Sequence, residues 1–145
     1  MIRQLLVGGA TSACNIAIHA LVMAVVVHAS NVIVARQVRW PTFKLIYSMI
    51  ATVMILMAAH TLEVMVWALI YAFIDAAPPG ANLVYFAFVN YTTLGYGDVV
   101  PVQRWQLIGP ITAMNGILMF GWSTVTIFEV LRENTARIMG HEHQR

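Results

Sequence analysis

Thr93-Leu94-Gly95-Tyr96-Gly97-Asp98 decides how this chain of 145 residues is read. Two glycines flank a single tyrosine, and a residue without a β-carbon reaches backbone angles closed to others, so successive carbonyls can turn toward one axis and form stacked oxygen cages. Thr93 adds a hydroxyl at the inner end of the run.

Outward from this stretch the chain is apolar. Hydrophobic residues make up 60%, charged residues 10%, and the mean hydropathy is +0.76, a surface that belongs in lipid. The net charge of +2 and isoelectric point near 9.0 come from eight basic residues scattered between hydrophobic spans, a pattern of topology signals and not a nucleic-acid-binding face. Cys14 is the single cysteine and lies in an apolar run, which excludes a disulfide within one chain and predicts a small buried hydrophobe.

Three segments are long enough to cross a bilayer, for which about 20 apolar residues suffice. They run from about residue 5 or 14 to 35, from 45 to 74, and from 107 to 131. Residues 83 to 92 are too few to span and suit a re-entrant helix whose partly negative C-terminal end points at the oxygen-lined stretch. Arg36, Arg39 and Lys44 follow the first span and Arg132, Arg137 and Arg145 follow the third, against Arg3 and Arg104 on the other side. Six against two places the basic loop and C-terminal tail in the cytoplasm, and the N-terminus and Asp98 outside. A cleavable signal peptide is a competing account of the first span, but its removal would leave the basic loop outside and reverse the glycine-rich stretch.

Residues 83 to 101, from Tyr85-Phe86-Ala87-Phe88-Val89-Asn90-Tyr91-Thr92 through the glycine signature to Val99-Val100-Pro101, resemble the pore helix, filter and outer mouth of the potassium channel family. The resemblance extends more loosely over the flanking spans and leaves out the first forty residues. Leu94 stands where the family most often has valine, and Val89 where some relatives carry a carboxylate that pairs with the aspartate of the signature. The resemblance implies an all-α membrane protein with three transmembrane helices, a re-entrant pore helix and a selectivity filter. Residues 1–44 would be an additional helix and basic loop, 45–131 the pore domain and 132–145 a short tail. The extra helix would pack peripherally on the outer helix, toward lipid.

The resemblance further implies a homotetramer in the inner membrane of a prokaryote, because one signature per chain needs several copies to close a cage. K+ would be the permeant ion, coordinated by Thr93, Leu94, Gly95 and Tyr96, with Gly97 completing the mouth; no organic cofactor and no covalent chemistry is implied. Tyr85, Phe86, Thr92, Tyr96 and Asp98 would brace the filter. A weakly selective cation channel is the neighbouring alternative, since Leu94 alters the packing behind the cage.

On the third span Gly116 reads either as a hinge or as a site of close helix packing. Asn115, with Thr112, lines a central cavity or bonds between helices; Ser123, Thr124 and Thr126 are expected to bond back to their own helix. Glu129 forms a cytoplasmic ring of negative charge or pairs with Arg132, and Phe128 is a candidate inner constriction. No arginine lies inside the first two spans, which excludes voltage sensing by moving arginines.

His60 and Glu63 share a face of the second span with Trp67, and Glu63 falls about 17 Å along the helix from Ile74, near mid-membrane. They read as a proton-sensitive latch, as a permanent structural hydrogen bond, or as part of a membrane metalloprotein, for which two ligands per chain are too few unless other helices contribute. His19 and His28 are expected to act as polar anchors, and His141 and His143 as a solvated pair in the tail.

Overall fold

The computed structural model describes residues 1–35 and 41–142. Four α-helices and one 3-10 turn follow in order: α1 (Ile2–Ala35), α2 (Pro41–Phe73), α3 (Leu83–Tyr91), the turn Gln103–Trp105, and α4 (Ile108–Glu142). No strand occurs among the described residues. Three of the helices are long and apolar enough to cross a membrane, and the chain is an integral membrane protein. Arg36, Arg39, His143 and Arg145 lie outside the described residues, as do the side chains of Arg137 and His141.

Local sequence explains the boundaries. Pro41 opens α2, a position where the missing N–H is not needed. Asn82 caps α3, its Oδ1 accepting from the Tyr85 N–H at 3.1 Å. Asp75 at φ +48 and Gly80 at φ +83 turn the chain between α2 and α3. α4 runs past Leu131 to Glu142, so the segment expected to be a separate tail continues the inner helix by about three turns.

Water gives no reason for the helices to associate inside a bilayer, so small residues and interhelical hydrogen bonds must hold them together. α1 shows this plainly. Gly8, Thr11, Asn15, His19, Met23 and Val26 are buried at spacings of three and four, while Leu5, Leu6, Ile16, Leu21 and Val25 are exposed. The buried stripe touches α4 as well as α2, which corrects the expected peripheral placement. A β-carbon on Gly8 would lie 2.8 Å from Ile111 Cγ2, and Gln4 Oε1 accepts from the Leu107 N–H at 2.8 Å. Arg3 also sits over the Trp105 ring at 5.2 Å. Cys14 is exposed on the outer face of α1 and is not the buried hydrophobe its apolar neighbours suggested.

The core lies where α3 enters between α2 and α4. Trp67, Tyr71, Phe86, Tyr91, Trp105 and Ile108 are buried there. Phe86 stacks on Tyr71 with ring centroids 5.0 Å apart, so it braces the pore helix against α2.

Candidate functional site

α3 ends at Tyr91, and the glycine-rich stretch hangs from it as an exposed loop. Leu94 donates its N–H to the Val89 carbonyl at 2.9 Å, which ties the loop to the helix end. Beyond that, handedness alternates. Thr93, Gly95 and Gly97 have φ of +61°, +60° and +78°, while Leu94 and Tyr96 between them are not in the positive region. The left-handed region is costly for a threonine, so its occupation there is a local strain that its surroundings must hold.

Tyr85 donates its hydroxyl to Asp98 Oδ2 at 2.7 Å, joining the start of the pore helix to the end of the loop. The carboxylate beside it raises the Tyr85 phenol above its ordinary range. Val89 is buried and gives Asp98 no polar partner, so the tyrosine carries the link alone among the described contacts. Thr92 turns its hydroxyl back to the Phe88 carbonyl at 2.8 Å, and Tyr96 stands 68% exposed, without a bracing hydrogen bond or ring contact among the described residues.

The inner helix resolves several alternatives. Asn115 is buried in the polar interior, not on an open face: its Oδ1 accepts from Trp67 Nε1 at 3.0 Å and from Asn15 Nδ2 at 3.1 Å. Thr112 is likewise buried, 2.6 Å from the Tyr71 hydroxyl, which itself accepts from Asn90 Nδ2 at 3.3 Å. At Gly116 a β-carbon would collide with the carbonyl oxygen of Tyr91, so the glycine serves close packing of α4 on the end of the pore helix. Glu129 pairs with Arg132 at 2.6 Å, and Phe128 is exposed. Thr124 and Thr126 do bond back, to Phe120 and Trp122.

Ser123 does not. Its Oγ lies 3.0 Å from His60 Nε2 and 3.4 Å from His19 Nε2, correcting the expectation of an intrahelical bond. The other sides of both rings meet Glu63: His19 Nδ1 is 2.7 Å from Oε1 and His60 Nδ1 is 3.3 Å from Oε2. Tyr91 also donates its hydroxyl to Glu63 Oε2, and lies 3.1 Å from His60 Nδ1. The expected His60–Glu63 pair is thus part of a closed ring that draws one residue from each of α1, α3 and α4. Asn15 and His19 carry no recognisable motif, and Tyr91 lies inside the stretch that resembles a pore helix without any sign there of this contact; the signal for the first two was the four-residue repeat Thr11, Asn15, His19 in a helix otherwise apolar. His28 is exposed and joins none of this.

The arrangement is a short helix that stops inside a three-helix frame and delivers a strained, glycine-rich loop to an open face. Comparison with family models gives a match to the one described as "Ion channel" over residues 59–133. No curated protein and no solved structure matched. The matched span covers just over half the chain and takes in the second half of α2, the pore helix, the loop and α4 as far as Glu133. The chain therefore belongs to the ion channel family, of the type whose pore domain has two membrane-spanning helices.

Proposed function

We propose that the protein is a K+-selective channel in which four copies bring their Thr93–Gly97 loops around one axis. The alternation of left-handed backbone at Thr93, Gly95 and Gly97 carries this reading. When every second residue changes hand, successive peptide planes turn their carbonyls to the same side instead of opposite sides. Four such loops make rings of oxygen that can take the place of an ion's hydration shell.

Thr93, Leu94, Gly95 and Tyr96 would supply the coordinating oxygens and Gly97 the freedom to finish the mouth. Leu94 and Tyr96 in the loop are each more than half exposed in one chain, which leaves them free to meet neighbouring copies. Tyr96 then finds its bracing contacts on neighbouring copies. Phe128 and Glu129, exposed or half-exposed near the basic end of α4, line the inner mouth in this assembly. The six-to-two distribution of basic residues supports a reading with that end in the cytoplasm and Asp98 outside, and the inner membrane of a prokaryote is the setting proposed with it.

Reversal potentials of the protein reconstituted in planar bilayers, with K+ on one side and Na+ on the other, test the proposal. A large reversal potential, negative on the K+ side, supports it. A value near zero gives the weakly selective channel, and a strictly monomeric protein in lipid nanodiscs refutes the shared filter.

A further inference from the structure

We infer that His19, His60 and Glu63 form a binding site for a divalent transition ion of the zinc class, with Tyr91 at the fourth position, fastening α1 to the pore unit. The candidate ligand atoms of the two histidines and the glutamate all lie within 4.8 Å of one another. Ligands about 2.0–2.1 Å from a tetrahedral ion stand about 3.3 Å apart. The His60 Nδ1–Glu63 Oε2 separation is 3.3 Å, and Tyr91 Oη is 3.1 Å from His60 Nδ1. His19 Nδ1 approaches Glu63 from the other carboxylate oxygen at 2.7 Å. Coordination would require His19 and Tyr91 to draw back from the Glu63 carboxylate, which both approach more closely than the edge of such a tetrahedron.

Counting hydrogens shows what an ion would change in the ring. When His60 Nδ1 does not take the hydrogen of the Tyr91 hydroxyl 3.1 Å away, each neutral ring carries its own hydrogen on Nδ1 to face the carboxylate, which leaves both Nε2 atoms as lone pairs directed at Ser123. Ser123 has one hydrogen to give, so one ring nitrogen is left without a donor. An ion bound at both Nδ1 atoms reverses the tautomers. Each Nε2 then carries the hydrogen, and the two lone pairs of Ser123 Oγ accept both. Metal-bound histidines characteristically hold their second nitrogen in this way.

Charge closes as well. Glu63 contributes one negative charge, and Tyr91 contributes a second when the ion displaces its phenol hydrogen, released as H+, so the dication is neutralised. The charged partners that the structure gives Glu63 are both histidines; no lysine or arginine reaches it among the described residues. The donor set of two imidazoles and two oxygens suits Zn2+ or Co2+.

Co2+ is the probe, added to the full chain without a polyhistidine tag in lipid nanodiscs. Wild type is expected to take up about one Co2+ per chain, with the visible bands of a tetrahedral site, and to lose them on addition of Zn2+. His19→Asn and Glu63→Gln should abolish the bands. Cys14→Ser and the double variant His141→Gln, His143→Gln should keep them, excluding the exposed thiol and the tail. Ser123→Ala should weaken binding about 10-fold or more. Failure of the folded wild type to take up Co2+ overturns the site and leaves a ring completed by an extra proton. Full uptake by His19→Asn, or loss in the tail variant, overturns it equally, and the wild-type measurement decides even if a ring variant does not fold.

Discussion

Gly116→Ala isolates the contact between the inner helix and the foot of the pore helix. The added methyl would collide with the Tyr91 carbonyl oxygen, lie 2.9 Å from the carbonyl carbon and 3.3 Å from the ring Cδ1, where ordinary contact begins near 3.4 Å. Backbone cannot swing aside as a side chain does. Either α4 backs away from α3 or the end of the pore helix distorts, and overpacking of this kind costs typically 1–3 kcal/mol, on the order of 3 kcal/mol for a clash with main chain. Gly121→Ala is the internal control, because nothing lies within 4 Å of its β-carbon, and alanine favours a helix interior by up to about 1 kcal/mol. At about 2–4 °C per kcal/mol for a chain of this size, Gly116→Ala should lower the midpoint of thermal unfolding in detergent by roughly 5–10 °C. Gly121→Ala should leave it unchanged or slightly raised. Equal midpoints for the two variants would refute the packing argument and return Gly116 to the role of a hinge.

Gly95→Ala forces a side chain into a left-handed backbone at φ +60°, a cost of about 1–2 kcal/mol per residue, and should shift the K+/Na+ reversal potential toward zero or prevent assembly. Trp67→Phe removes the donor to Asn115 Oδ1 and should cost about 1 kcal/mol, read as a drop of a few degrees in the unfolding midpoint. Tyr85 is held protonated by Asp98, and a phenol raised in the folded state contributes stability below its unfolded value of about 10 that is lost as pH rises through the folded one. Unfolding rates should therefore climb in alkali above about pH 10 in the wild type, and Tyr85→Phe should remove that component of the rise.

The signature loop and the order of the helices were legible because each rests on local rules. Glycine at alternate positions and a ten-residue apolar run too short to span needed no partner to be interpreted. Positive φ at Thr93 was not legible, since threonine resists that region and only the geometry of the whole loop imposes it. The same division runs through the polar interior. His60 and Glu63 announced themselves as ionisable groups in a membrane span, but their partners come from 28 to 63 positions away, and pairing at that range depends on which faces of three helices meet. Ser123 was misplaced for the same reason, while Asn115 took the interhelical bond that was one of its two expected roles. Read along one helix, a serine is satisfied by its own carbonyls; only the approach of two imidazoles from other helices redirects it. Cys14 failed differently, because an apolar neighbourhood means burial in water and exposure in lipid.

The interior built by α1 sets a condition on biosynthesis. Asn15 and His19 enter the membrane first, Glu63 follows 48 and 44 residues later, and Asn115 only after 100. At about 5–20 residues per second the leading helix waits roughly 2–10 s for Glu63, its amide and imidazole until then without these partners, and roughly 5–20 s for Asn115. An insertion factor or a lingering stay in the translocon's aqueous seam would shelter it meanwhile, and the nascent chain is most vulnerable to degradation in that interval.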